Sequence, residues 1–111
     1  MVLVVPKIDL QEKTKNMYNL ISMKDYTDGK LSFKTAKLIE SGQLPTHYPM
    51  YNIFKKVAME SFPEISLAEK AMIESGASQV QLSGSGPSLF TFTKSTNESK
   101  RISEKLAALG Y

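Results

Sequence analysis

The stretch Ser83-Gly84-Ser85-Gly86-Pro87-Ser88 packs hydroxyls and glycines into one short turn. Glycine admits positive φ and lets other groups approach the backbone closely. Successive amides in such a turn can form a concave nest for an anion. The hydroxyls of Ser83, Ser85 and Ser88 would add donors on the same rim, so the chemistry open to this stretch is phosphate binding. The same spacing fits a hairpin turn that needs glycine only for its geometry, and on spacing alone that plainer reading comes first. The stretch is no P-loop, because no lysine with Ser or Thr follows the second glycine. Nor is it the dinucleotide fingerprint, which opens a helix after a strand; here strand-like residues follow.

Little else in the sequence carries chemistry. The one histidine, His47, lies between Pro45 and Pro49 without a neighbour to orient it, and no catalytic role is expected of it. Cysteine is absent, which excludes disulfides, thiolate metal sites and cysteine nucleophiles. No metal site is expected. The net charge of +3 comes from 14 Lys and Arg against 11 Asp and Glu. These are interspersed: Lys13 and Lys15 follow Glu12, and Lys70 follows Glu69. Lys94, Lys100 and Arg101 come nearest to a basic cluster and read as a solvated helix face, so no nucleic-acid partner is expected. No apolar run approaches the roughly 20 residues of a membrane span, and the opening Met1-Val2-Leu3-Val4-Val5 is too short for a signal peptide. A cytoplasmic location without a membrane partner is the expectation. At 111 residues, 41% apolar and 23% charged, the chain has the size and composition of one globular domain.

The elements that must position the turn can be read from periodicity. Val2 to Val5 is an apolar, mostly β-branched run ended by Pro6, which predicts a buried strand. A strand buried on both faces at the very start suggests a chain that begins inside a larger protein. Residues 7–13 are mostly polar, and a short helix after Thr14 carries Met17, Tyr18 and Ile21. Asp28-Gly29 marks a turn. Ser32 reads as the N-cap of a helix over residues 33–41, with Gly42 as its left-handed stop. Residues 44–49, with two prolines, form a stiff loop. Asn52 is placed to cap a helix bearing Ile53, Phe54, Val57 and Ala58, which Pro63 interrupts. A further helix over residues 64–75 carries Ile65, Ala68 and Met72 at helical spacing and ends at Gly76.

The period then changes to two. Val80 and Leu82 alternate with Gln79, Gln81 and Ser83 as in a half-buried strand, and Phe90 and Phe92 alternate with Leu89, Thr91 and Thr93 in a second. Ser95-Thr96-Asn97-Glu98 matches a capping box. It opens a helix with Ile102, Leu106 and Leu109 on one face, closed by Gly110. The order predicts an α+β, ferredoxin-like sandwich, a small antiparallel sheet with helices packed on one face. A ferredoxin-like sheet needs one more strand after the last helix, and the chain stops at Tyr111.

Neighbouring residues give the glycine turn a context. The stretch from Glu74-Ser75-Gly76-Ala77 through the turn to Leu89-Phe90 resembles the third signature motif of the GHMP kinases. In that group a helix ending in Gly-Ala and a strand lead into Ser-Gly-Ser-Gly-Pro-Ser/Thr. Within the group the chain most resembles the 4-diphosphocytidyl-2-C-methyl-D-erythritol kinases of the non-mevalonate isoprenoid pathway. Leu3-Val4-Val5-Pro6 followed by Thr14-Lys15-Asn16-Met17-Tyr18 is similar to that family's strand and Thr-Lys-x-x-Tyr. Tyr51-Asn52-Ile53-Phe54 with Phe62-Pro63-Glu64-Ile65 resembles its central Asn and Pro-Glu-Ile landmarks. The likeness runs from Val2 to Leu109 and is weak only over residues 22–48.

The resemblance implies that residues 1–111 are the C-terminal domain of a two-domain, ATP- and Mg-dependent kinase with its active site between the halves. The family's Gly-Leu-Gly-Ser-Ser phosphate loop is not in this chain, nor are the lysine and aspartate it places around the reacting hydroxyl. No catalytic residue is therefore expected here, and the partners implied are the N-terminal half and a cytidylyl substrate. By resemblance Ser83, Gly84, Ser85 and Gly86 border the phosphates, mainly through backbone amides. Tyr18 matches the aromatic that packs on the cytosine ring, and Thr14 matches a pocket-lining threonine. Two positions depart from the pattern: Lys13 replaces a small residue before that threonine, and Ser88 replaces the commoner threonine. Two alternatives stay open: another GHMP kinase of homoserine or mevalonate type, or a stand-alone α+β binding or regulatory module whose glycine turn is only a hairpin.

Overall fold

The computed structural model describes residues 1–8, 13–43 and 50–111. The proline-bounded loop with His47, expected over residues 44–49, lies outside them. Strand β1 (Val2–Val4) is followed by helix α1 (Lys13–Leu20), a 3-10 turn at Met23–Asp25 and helix α2 (Lys30–Glu40). Helices α3 (Ile53–Ser61) and α4 (Pro63–Glu74) come next, then strands β2 (Gln81–Leu82) and β3 (Leu89–Thr91), and helix α5 (Thr96–Ala108).

The strands form one antiparallel sheet in the order β1-β3-β2. Val2, Leu3 and Val4 lie opposite Thr91, Phe90 and Leu89, and Gln81 and Leu82 lie opposite Phe90 and Leu89. That register puts Val2, Val4, Leu82, Leu89 and Thr91 on one face, since side chains alternate along a strand. All five are buried, with α4 packed over β3 and α5 over β1. Ile65, Ala68 and Met72 of α4 and Ile102 and Leu106 of α5 fill the layer between. Burying a side chain such as Ile65, Met72 or Leu89 contributes about 1.5–3 kcal/mol.

Several expectations are corrected. The β1 run is not buried on both faces: Leu3 is 56% exposed, so its uniform hydrophobicity hides an ordinary alternation. In β3 the core face carries Leu89 and Thr91, while Phe90 and Phe92 face the other way and meet edge to face at 5.6 Å. Gln81, expected on the solvent side, is buried. Helix α2 starts earlier than Ser32, at Lys30, with Gly29 at φ 76° in the N-cap position. Asp28 Oδ1 accepts from the Lys30 amide, which satisfies an orphan donor the Ser32 reading overlooked. The capping box of α5 is split: Ser95 accepts from the Glu98 amide, but the Glu98 carboxylate accepts from Lys94 rather than from Ser95. Leu109, placed by spacing on the buried stripe, is 59% exposed because α5 ends at Ala108.

Pro63 is the first residue of α4, where its missing amide costs nothing, so α3 and α4 abut through Phe62. Helix α3 packs against α4 and also touches β2, and its cap Asn52 meets the glycine turn.

Candidate functional site

The turn over residues 83–88 joins β2 to β3. Gly84 and Gly86 have φ of 56° and 79°, the left-handed region that other residues enter at a cost. Their surroundings differ. A Cβ at Gly84 would meet open space, whereas one at Gly86 would lie 2.8 Å from Leu82 Cδ1 with Ile65 beneath. The turn is thus seated on the core through its second glycine. The Ser83 amide donates to the Ser88 carbonyl at 2.8 Å, and the Gly86 amide donates to the Ser83 carbonyl at 2.8 Å. An anion at the turn cannot draw on those two amides, which narrows the nest that the spacing suggested.

Strand β2 is an edge strand, and its outward carbonyls need partners other than a ladder. Helix α3 supplies them. Asn52 caps α3, its Oδ1 accepting from the Phe54 amide at 2.9 Å. Its Nδ2 donates to the carbonyls of Leu82 and Gly84, each at 2.8 Å. Lys55 Nζ donates to the Val80 carbonyl at 2.6 Å and pairs with Glu69 at 2.8 Å. Val80 and Leu82 turn their carbonyls the same way, as a strand period of two requires, and the cap and first turn of α3 grip both together with the Gly84 carbonyl in the turn beyond. The sequence reading saw only the cap.

The two segments expected to make the ligand wall converge here. Thr14 Oγ1 of α1 lies 3.4 Å from Ser85 Oγ in the glycine turn. Met17 anchors α1 in the core, fully buried, while Tyr18 beside it is 61% exposed. The Tyr18 ring meets Phe54 of α3 edge to face, 4.9 Å between centroids at 84°. Tyr18 therefore presents an open ring, held from behind. Tyr18 is tied to α3 through Phe54 and the turn through the cap Asn52, while Thr14 meets the turn at Ser85.

On the second face of the sheet a groove of about 550 Å³ runs between Tyr26, Tyr51 and Phe54 on one side and Gln81 and Phe90 on the other, reaching Gly84. The Tyr51 hydroxyl donates to the Asp25 carbonyl and so ties the 3-10 turn beside Asn52. The Asp25 carboxylate is held below its ordinary range, chiefly by the Ser22 amide and then by the Ser22 hydroxyl. The surface around α1 and this turn is not uniformly polar: Tyr18, Leu20, Met23 and Tyr26 are all exposed. Among the described residues no helix is long and apolar enough to cross a membrane.

Residues 34–111 match the family model described as GHMP kinases C terminal. Over 111 residues, 99% of this chain, the protein is 36% identical to a 4-diphosphocytidyl-2-C-methyl-D-erythritol kinase of Dehalococcoides mccartyi. A kinase of the same name from Limosilactobacillus fermentum is 36% identical over 75 residues, 68% of this chain and 25% of that protein. A crystal structure of 4-(cytidine 5'-diphospho)-2C-methyl-D-erythritol kinase superposes with a TM-score of 0.73 at 21% identity, covering 96% of this chain and 38% of that one. That likeness is one of fold. The chain spans 39% of the length of its Dehalococcoides relative. The family match begins inside α2, so it takes in Asn52 and the glycine turn, whereas Thr14 and Tyr18 fall only within the longer pairwise likeness.

Proposed function

The chain belongs to the GHMP kinase C-terminal family, and on that premise we propose that it is the ligand-facing half of an ATP-dependent kinase of 4-diphosphocytidyl-2-C-methyl-D-erythritol. The observation that carries this reading is the convergence of Thr14 on Ser85, with Tyr18 presented alongside on Phe54. An exposed ring and a glycine turn held on one frame suit a ligand with a base at one end and phosphates further along. A tyrosine stacked on a base contributes about 1–3 kcal/mol.

In the reaction a hydroxyl oxygen of the methylerythritol attacks the γ-phosphorus of ATP. The bond from that phosphorus to the ADP oxygen breaks, and the hydroxyl proton passes to a base. Catalysis of such a transfer rests on positioning and charge stabilisation. In this reading the chain's part is positioning: Tyr18 holds the cytosine, Thr14 lines its pocket, and Ser83, Gly84, Ser85 and Gly86 border the phosphates. Among the described residues no three His, Asp or Glu side chains converge on a point that could hold a metal ion. In this reading ATP, its Mg²⁺ and the base belong to an N-terminal half, in a cytoplasmic enzyme.

The test is an assay of the chain joined to the N-terminal half that this reading requires, with ATP, against three alcohols: the cytidylyl-methylerythritol, homoserine and mevalonate. Phosphorylation of the first alone is expected. Preferential turnover of either other alcohol would replace this substrate with that one. Absence of turnover on all three would favour a stand-alone binding module.

A further inference from the structure

We infer that Asn52 is a positioning residue for phosphate binding, setting the geometry of the glycine turn from outside the turn. The inference rests on the kinase reading for the identity of the ligand, but not for the geometry.

The side chain of Asn52 is saturated in one direction only, toward backbone. Its oxygen takes the Phe54 amide and its nitrogen serves the Leu82 and Gly84 carbonyls, using both amide hydrogens. A carboxamide is the smallest side chain offering one acceptor and two donors at once. A helix cap needs only the acceptor, and Ser, Asp or Thr would supply it. The two donors are thus surplus to capping, and both are spent on the approach to the turn. Gly84 is the residue that needs this restraint. It has open space around it and a left-handed φ, so no packing holds it as Leu82 and Ile65 hold Gly86. Asn52 fixes the Gly84 peptide, and with it the direction in which the next amide and the Ser85 hydroxyl face. Because the following residues of α3 carry Phe54 behind Tyr18, the same helix sets the distance between base platform and phosphate turn.

The variant that isolates this role is Asn52→Asp in the intact protein. It keeps the cap and removes both donors, placing a carboxylate against two carbonyls. Hydrogen exchange of residues 82–88 reads the clamp directly, whether or not any nucleotide binds. Faster exchange confined to that stretch, with the α3 amides unchanged, is expected. The binding readout compares CDP and ADP with cytidine, which lacks phosphates. CDP or ADP should bind about 10–100-fold more weakly, the scale of a small misplacement in a site, with cytidine within about twofold of wild type. Unchanged exchange in the turn overturns the inference, as does equal weakening of CDP and cytidine. Failure of the wild type to bind CDP, ADP or cytidine would instead sink the kinase reading, leaving the exchange result to judge the clamp. Should Asn52→Asp not fold, Asn52→Ser also caps, replaces the two amide donors with one hydroxyl on a shorter side chain and carries the same test.

Discussion

The residues that matter most are few, and they separate into those read from type and those read from place. Thr14, Tyr18 and the glycine turn could be picked from the sequence because their spacing matched a motif. Asn52 could be picked as a cap, but not as the clamp on Leu82 and Gly84, because a side chain reaching carbonyls 30 and 32 residues away leaves no periodic trace. Two predictions belong at this scale. Tyr18→Ala should weaken binding of a cytidylyl ligand to the intact protein by about 1–3 kcal/mol, measured by titration calorimetry. Its melting temperature should stay close to wild type, since the ring is mostly exposed. The glycines should behave unequally. Gly84→Ala faces only the backbone cost, about 1–2 kcal/mol. Gly86→Ala must also displace Leu82, for a total of about 2–5 kcal/mol. Denaturant unfolding of the two variants would show it, and equal losses would count against the seating of the turn on the core.

Elements were legible wherever the hydrophobic period was long and clean. Helices α4 and α5 and the paired strands follow from Ile65, Ala68 and Met72, from Ile102 and Leu106, and from the switch to period two near Val80. What escaped was the competition at ends and faces. Ser32 lost to Gly29 because the Asp28 side chain captures the Lys30 amide two residues earlier. The uniform run of β1 could not reveal which face would be open, because hydrophobicity marks tolerance of burial and not burial itself. The 3-10 turn carries a pH prediction. Asp25 has a lowered folded-state pKa, so the bonds from Ser22 contribute at pH values above the ordinary carboxylate range. That contribution is lost as pH falls through the lowered value. An NMR titration should show Ser22 and Tyr51 shifting together with Asp25 at acid pH, and a Tyr51 signal indifferent to that titration would detach it from the turn.

The whole molecule is broad and thin, 40 × 37 × 17 Å, with a radius of gyration of 14.7 Å, against about 13 Å for a compact chain near this length. Helix α2 has no buried residue, although it carries Leu31, Phe33 and Ile39. The second face of the sheet is open at Leu3, and Leu20, Met23 and Tyr26 near Tyr18 in the chain are exposed with it. A shape of this kind suits a wall of a site better than an enclosed site, and the chain spans 39% of the length of its Dehalococcoides relative. The account therefore stands or falls on whether the chain works as one half of a kinase. The direct measurement is phosphorylation of the cytidylyl-methylerythritol by ATP, followed for the 111-residue chain alone, for a separately produced N-terminal half, and for the two mixed. The account predicts no turnover by either alone and measurable turnover by the mixture. Turnover by the 111-residue chain alone would contradict it.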